Sequence, residues 1–382
     1  MKPIDNKEGA SAFHKKGIAK LDSKDYSGAI SDFTKAVEID SKYTAAYKDR
    51  GWAQLNLNDY SGAIEDYTKA IVLDQNDAQS YHRRGTSLWF LKDYPGAIAD
   101  YDKAIEIDAK YFSPYYNRGA WKCLFNDHSG AIEDYSKAIE IDPKYALAYY
   151  YRGQSKYFLE DYSGAIDDFS EVIDIDPANS LAHIERGKAK EKINYLSLGV
   201  GDYYGAMEDY TLAIGLDTEN ANSYRLRAST FITTKLDHSA AIADYDKAIE
   251  LSPKFAYTYF ARGASKSELN DHSGALADFS KAIELDPELA SAPYYKTFLN
   301  KSELSDDSNT VVDINESTEE SQEKVIATED VNFKTTTLVT KTHNINWVDV
   351  MSKDSTGSVK SSPLVAYDGA ELLLKDFQLK NS

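Results

Sequence analysis

The sequence has very little cysteine, the residue that forms disulfide cross-links. Its 382 residues contain one cysteine, Cys123, so no disulfide can form within one chain. A single cysteine fits a reducing compartment, and we expect a cytoplasmic location. No run of eighteen apolar residues is present, and the first residues lack the apolar core of a signal peptide. We therefore expect a soluble protein with no membrane insertion.

Motifs for catalysis and cofactor binding are also missing. The sequence contains no Gly-x-Gly-x-x-Gly, no Walker-type phosphate loop and no Gly-x-Ser-x-Gly. Its seven histidines and its cysteine form no cluster with the spacing of metal ligands. The sequence thus predicts no enzyme activity, no cofactor and no metal. An alternative is an enzyme whose C-terminal segment is active, although no catalytic constellation lies there.

Positive charge is scarce relative to negative charge. The chain has 43 Lys and Arg against 62 Asp and Glu, a formal net charge of −19. An acidic protein repels the phosphates of nucleic acids and of anionic lipids. We therefore expect no nucleic-acid partner, and we expect basic or neutral peptides instead. The oligomeric state is not predicted.

A motif recurs along most of the chain. Tyr-Ser-Gly-Ala-Ile begins at Tyr26, Tyr60 and Tyr162, and close variants begin at Tyr94 and His128. The spacing is 34 residues up to the fifth copy, seven more in the sixth and one more in the seventh. Such a period predicts an array of stacked units. The predicted units are residues 10–43, 44–77, 78–111, 112–145, 146–179, 180–220, 221–255 and 256–289.

The residues after the repeats differ in composition from the repeats. Residues 290–302 are predicted to form a helix that caps the last unit, because terminal repeats need a cover. Residues 303–330 are rich in Ser, Thr, Glu and Asp and predict an acidic disordered linker. Residues 331–382 are predicted to be a mostly flexible tail or to contain a small docking segment. Within this tail, residues 368–380 favour a short amphipathic helix.

Each unit predicts two helices. An Asp precedes the Tyr-Ser-Gly-Ala-Ile motif, where its side chain can cap the free amides of a helix. The following residues place apolar side chains at helical spacing, as in Ala63, Ile64, Tyr67, Ala70 and Ile71. Strand-like alternation is absent from this segment. The sequence therefore predicts an all-α fold.

The pattern resembles the tetratricopeptide repeat (TPR) family. In the fourth copy the residues that carry the resemblance are Tyr115, Gly119, Ala131, Tyr135, Ala138 and Pro143. The resemblance covers about residues 10–289 and implies a TPR solenoid, an α-α superhelix of about eight hairpins, followed by a largely flexible acidic tail. It also implies a concave groove, lined by the first helix of each unit, that binds an extended peptide or a helix of a partner.

Eight residues are candidates for this partner-binding groove. Most are aromatic, and aromatic side chains are favoured anchors in interfaces. The alternative is that several of them belong to the core between repeats. The candidates are Trp52, Trp89, Tyr116, Asn117, Tyr150, Tyr151, Tyr157 and Phe158.

Some members of the family hold the C-terminal carboxylate of a chaperone with a clamp of Lys, Asn and Arg from three consecutive units. Asn117 fills one slot of this clamp, but the unit before it offers His82 and Thr86, and the unit after it offers Leu147 and Tyr151. No three consecutive units supply the full set. We therefore do not expect a clamp of this type.

An Arg in the first helix and an Asp in the second recur with the same period. Arg118 and Asp134 are one such pair. The series forms either a ladder that binds an acidic ligand or an internal ladder that fixes the helices. The internal ladder is favoured, because a partly buried Arg prefers a bidentate carboxylate partner.

These features predict a scaffold or adaptor protein, and a specific version of this prediction is a factor for the assembly of a larger complex. An alternative is a structural oligomer in which solenoids stack end to end.

Overall fold

The computed structural model describes residues 6–193, 202–235 and 237–305, and within these ranges the regular structure is helical. The helices are α1 Asn6–Asp22, α2 Tyr26–Ile39, α3 Thr44–Asn56, α4 Tyr60–Leu73, α5 Ala78–Phe90, α6 Tyr94–Ile107, α7 Phe112–Leu124, α8 His128–Ile141, α9 Ala146–Phe158, α10 Tyr162–Ile175, α11 Ser180–Ile193, α12 Tyr203–Leu216, α13 Ala221–Lys235, α14 His238–Leu251, α15 Ala256–Glu268, α16 His272–Leu285 and α17 Pro293–Ser305, with a 3-10 helix at Pro287–Ser291 before α17.

The helices fall into two compact units. The N-terminal unit holds the described residues up to Asp202, and the C-terminal unit holds those from Tyr203 onward. In the N-terminal unit each odd-numbered helix from α1 to α9 packs on the next helix as a hairpin, and α11 packs on α10. In the C-terminal unit α12 is followed by the hairpins α13–α14 and α15–α16 and then by α17. In both units the described chain is all-α and its helices pack on their neighbours in sequence, as predicted. The predicted extra residues of the sixth repeat, most of the predicted acidic linker and the predicted tail lie outside the described residues.

The second helix of a hairpin begins at a capped residue. Before α10, the Asp161 Oδ1 atom accepts a hydrogen bond from the Gly164 amide at 3.0 Å. The same cap precedes α2, α4, α6, α8, α14 and α16. Such caps satisfy amides that would otherwise lack a partner in the first turn. The repeated Asp is therefore what fixes where these helices start.

A small residue and an aromatic residue hold each hairpin together. Phe169 of α10 is fully buried, and so is Ala165 one turn before it. Phe169 lies so close to α9 that a Cβ atom on Gly153 would be 3.0 Å from its Cε1 atom. Gly153 therefore allows the ring to pack directly on the backbone of the first helix.

The recurring arginines form the internal ladder predicted from the sequence. In six hairpins of the described chain, the Arg Nε and Nη2 atoms donate to both carboxylate oxygens of the Asp at 2.6–2.9 Å. The pairs are Arg50–Asp66, Arg84–Asp100, Arg118–Asp134, Arg152–Asp168, Arg227–Asp244 and Arg262–Asp278. Bidentate pairs of this kind combine the attraction between opposite charges with a fixed geometry of the two side chains.

Each of these arginines also joins its hairpin to the hairpin before it. The Arg50 Nη1 atom donates to the Thr34 hydroxyl of α2 at 3.0 Å. Arg152 makes the equivalent bond to the Ser136 hydroxyl of α8, and Arg118 bonds the Asp102 carboxylate of α6. One side chain thus connects three helices.

Replacing Arg118 by Met should lower the free energy of unfolding by about 2 kcal/mol, because the buried Asp134 carboxylate would lose two charge-assisted hydrogen bonds and keep only its ion pair with Lys122 at 2.9 Å. Urea unfolding followed by circular dichroism measures this. The control is Lys137→Met, which removes an exposed pair with Glu140 and should change the unfolding midpoint little. Unchanged stability of Arg118→Met, together with loss of a partner, would show that the ladder binds a ligand instead.

Candidate partner-binding groove

The first helices of the N-terminal unit form one continuous row. Each odd-numbered helix from α1 to α9 contacts the next odd-numbered helix. Side chains at the same place in successive repeats therefore lie side by side along this row. The eight candidate residues all belong to α3, α5, α7 and α9.

Trp52 is half-buried on α3 and carries a cation on its face. The guanidinium carbon of Arg83, from α5, lies 4.0 Å from the centre of the Trp52 ring system. Next to it, the Lys48 Nζ atom lies 2.9 Å from Asp77 Oδ2. Arg83 thus covers one face of Trp52, and Lys48 is paired with Asp77, so this part of the row combines an aromatic ring with basic side chains.

Trp89, Tyr151 and Tyr157 are also half-buried. The Trp89 ring packs edge-on against Tyr94 with 5.2 Å between centroids, and Tyr157 packs in the same way against Tyr162. Burial raises the pKa of the Tyr157 hydroxyl, so it stays protonated and can donate a hydrogen bond. Each of these residues offers part of an aromatic surface to a partner.

Phe158 is the most exposed of the candidates, with 63% of its surface accessible. It is the last residue of α9 and stacks on His128, the first residue of α8, at 4.8 Å between centroids. Phe158 therefore lies at the end of the row, beside the turn that leads to α10.

Three candidates are not on an accessible surface. Only 3% of Tyr116 and of Tyr150 is exposed, and Asn117 is also buried. The Tyr116 ring is surrounded by Tyr135, Tyr145 and Tyr151, so it belongs to the core between hairpins. We correct the prediction for these three residues: their side chains are buried among the packed helices, and a partner cannot reach them.

Asn117 instead completes a buried polar network that the sequence did not reveal. Its Nδ2 atom lies 2.8 Å from His82 Nε2, and the Tyr111 hydroxyl lies 2.7 Å from His82 Nδ1. His82 is almost completely buried, and burial lowers the pKa of its imidazole to about 3, with a further decrease from the charge of Arg83. With Asn117 donating to Nε2, Nδ1 carries the proton and donates to the Tyr111 oxygen.

A similar network occurs at the start of the row. His14 lies 34 residues from Lys48 and 68 from His82, and it contacts the Tyr43 hydroxyl and Asp49. The partner of His14 is 35 residues away, as Asn117 is from His82. The repeat period therefore indicated that His14 and His82 occupy equivalent positions. Only the structure shows that each histidine contacts the residue 35 positions later, Asp49 for His14 and Asn117 for His82.

Two absences concern the described residues alone. Within residues 6–193, 202–235 and 237–305, no three His, Cys, Asp or Glu side chains are grouped so that they could hold a metal ion. None of the helices in the described chain is both long and apolar enough to cross a bilayer.

Family models match several parts of the chain. A model described as "Tetratricopeptide repeat" matches residues 44–77, and a second with the same description matches residues 10–43 and 256–289. A model described as "TPR repeat" matches residues 91–121 and 126–159. A comparison with curated proteins gave no match.

Solved structures resemble the chain in fold. The C-terminal part of a TPR repeat-containing protein from Cytophaga hutchinsonii is 17% identical, with a TM-score of 0.54, over 65% of this chain and 98% of that one. A tetratricopeptide repeat protein from Parabacteroides merdae is 18% identical, with a TM-score of 0.46, over 67% of this chain and 97% of that one. MamA is 24% identical, with a TM-score of 0.41, over 45% of this chain and 96% of that one. The first of these supports the solenoid fold.

Proposed function

Because the chain belongs to the tetratricopeptide repeat family, we propose that it is a protein-interaction scaffold that binds an extended peptide or a helix of a partner along its first helices. The observation that carries the proposal is the row of half-buried side chains Trp52, Arg83, Trp89, Tyr151 and Tyr157. Exposed aromatic surface with few rotatable bonds gives binding energy at low entropic cost. We infer an adaptor without enzyme activity of its own, located in the cytoplasm, which serves the assembly of a larger complex.

The chemistry of the row indicates the kind of peptide. Arg83 and Lys48 lie next to Trp52, and both side chains are partly buried, with 27% of the Lys48 side chain accessible. A peptide with an apolar anchor for Trp52 and a carboxylate nearby would match this arrangement. Farther along the row, Tyr151 and Tyr157 offer aromatic surface and hydroxyl donors. The proposed partner is therefore a protein segment with an apolar residue and a carboxylate at the end that meets α3 and α5, where the local basic border outweighs the preference for basic or neutral peptides that the net charge of the whole chain predicts.

An adaptor fits the C-terminal end better than an end-to-end oligomer does. In the C-terminal unit, Phe298 of α17 is buried, and its ring centroid lies 5.0 Å from that of Phe279 in α16. The Tyr294 hydroxyl also donates to Glu268 of α15 at 2.8 Å. The last hairpin is therefore covered by the chain itself, whereas end-to-end stacking needs an open face on it.

The test is capture of partners from the native host by the full chain and by two variants. In Trp52→Ala/Tyr151→Ala, the aromatic surface of the row is reduced, and we expect the captured proteins to decrease at least tenfold. The control Lys69→Ala/Val72→Ala changes two exposed residues of α4, on the second helix of a hairpin, and should capture the wild-type set.

Thermal unfolding of all three proteins shows whether the variants are folded at the temperature of capture. Equal capture by the wild type and Trp52→Ala/Tyr151→Ala, with the variant folded, would contradict binding along this row. No protein captured by the wild type at any salt concentration would contradict the scaffold itself.

A further inference from the structure

The outward side of α12, in the C-terminal unit, carries Tyr204 where the other second helices have Ser or Pro, and Leu212 where they have Lys or Glu. Tyr204 is 57% exposed and Leu212 is 52% exposed, and Leu216 is exposed one turn later. The only charged side chain between them on this side is Glu208. This apolar strip of Tyr204, Leu212, Gly215 and Leu216 is called the α12 strip.

The other repeats serve as internal references for α12. The position of Leu212 is occupied by Lys or Glu in every other second helix: Lys35, Lys69, Lys103, Lys137, Glu171, Lys247 and Lys281. In four of these helices the Lys forms an ion pair with a Glu three residues later, as in Lys247–Glu250 at 2.7 Å. In α12 that Lys–Glu pair is replaced by Leu212 and Gly215.

Gly215 indicates what kind of element packs on this side of α12. A Cβ atom at Gly215 would have no neighbour within 4 Å, so nothing in the described chain requires a glycine there. A glycine inside a helix is unfavourable unless another backbone must come close. Together with the exposed Leu212, the glycine indicates a helix that packs closely along α12. A strip of one helix is too small for a stable association of two separate proteins, which usually bury about 800 Å² on each partner.

We propose that the α12 strip is the docking site of residues 368–380 of the same chain. This segment reads Asp-Gly-Ala-Glu-Leu-Leu-Leu-Lys-Asp-Phe-Gln-Leu-Lys. At helical spacing, Leu373, Leu374 and Phe377 lie on one side, and Lys380 follows Phe377 by about one turn. The apolar side matches the α12 strip, and Lys380 matches Glu208, on a helix that has no basic residue.

The length of the chain allows this contact. α17 ends at Ser305, in the same unit as α12, and 62 residues separate it from residue 368. The composition of these residues predicts a disordered linker, and a disordered chain of that length spans about 40 Å on average. Neighbouring helices are about 10 Å apart, so α12 lies within that reach of α17. A tethered segment has an effective concentration near the millimolar range, which lets a small strip bind it.

Photo-crosslinking of the full chain tests the contact. Tyr204 is replaced by the photoreactive residue p-benzoylphenylalanine, and the crosslinked peptides are identified by mass spectrometry. We expect crosslinks to residues 368–380. The same photoreactive residue in place of Ser239, the equivalent position of α14, should give at least tenfold fewer.

A second variant separates docking from folding. Leu212→Lys/Gly215→Glu restores the ion pair found in the other repeats and removes a helix glycine, so it should fold at least as well as the wild type. In this background, the crosslinks from position 204 to residues 368–380 should fall at least tenfold. Retention of those crosslinks would contradict the assignment of the α12 strip.

Mixing normal and nitrogen-15-labelled protein identifies the occupant. Crosslinks within one chain stay unmixed, as the proposal requires. Mixed crosslinks would show that a second copy covers the strip, and crosslinks to another segment or none at all would overturn the proposal. The groove proposal is tested on α3 and α9 and stands or falls separately.

Discussion

Phe169→Ala is expected to lower the free energy of unfolding by about 3–5 kcal/mol. Phe169 has no accessible surface and fills the space between α9 and α10, where it contacts Tyr150 and lies against Gly153. Removal of the ring loses its burial and leaves a cavity. The cavity cannot collapse easily, because two helices held by an Arg–Asp pair surround it.

The measurement is urea unfolding at constant pH and salt, with Phe158→Ala as the control. Phe158 lies in the same hairpin, but 63% of its surface is already exposed. Its replacement should change the free energy of unfolding by about 0.5 kcal/mol or less. If both variants lost the same amount, the aromatic residue of the second helix would not be the element that fills the hairpin.

The second large effect that we expect is on how the free energy of unfolding depends on pH. In the unfolded chain the pKa of His82 has its ordinary value near 6.5, whereas burial lowers it to about 3 in the folded chain. The unfolded state therefore binds more protons than the folded state between pH 6.5 and pH 3. The contribution of neutral His82 is fully present above pH 6.5 and is lost as the pH falls. Between pH 7 and pH 5 the loss amounts to about 2 kcal/mol.

The neighbours of His82 explain why the folded chain cannot accommodate a protonated imidazole. Protonation would turn Nε2 from an acceptor into a donor that faces the Asn117 amide, and it would place a charge beside Arg83. No carboxylate contributes to the shift in the pKa of this imidazole. A buried cation at this position would therefore lack compensation.

Unfolding curves of the wild type and of His82→Gln at pH 7 and pH 5 measure this contribution. Gln retains hydrogen-bonding groups but does not titrate, and the other ionisable groups are common to both proteins. The wild type should lose about 2 kcal/mol more than His82→Gln between the two pH values. Equal losses would show that His82 is charged or exposed in the folded protein.

The helices could be predicted because their signals are local. The Asp cap, the apolar spacing and the period of 34 residues act within one hairpin, and they recur often enough to average out irregular copies. The pairing of Arg118 with Asp134 was predictable for the same reason, since both residues have the same period. The turns gave a weaker signal: Lys92 and Glu160 adopt φ angles of 64° and 62°, where Gly or Asn would be expected.

The accessibility of the candidate groove residues could not be predicted from the sequence, because it depends on how neighbouring helices pack around each position. Trp52 and Tyr151 are half-exposed, whereas Tyr116 and Tyr150 are buried. All four are aromatic and lie on first helices, so residue type does not distinguish them. The offset between two hairpins decides which slot is covered, and that offset results from tertiary packing. His82 was missed for the same reason.

The arginines that connect hairpins also link the packing of the helices to the order in which they are synthesised. Arg50 of α3 bonds Thr34 of α2, so the acceptor lies in the hairpin that leaves the ribosome first and the donor in the next one. Arg84 and Arg152 repeat this order with Thr68 and Ser136. During synthesis, each new first helix thus brings the side chain that secures the hairpin already made. We expect a chain built in this way to consolidate from its N-terminus during synthesis, one repeat at a time.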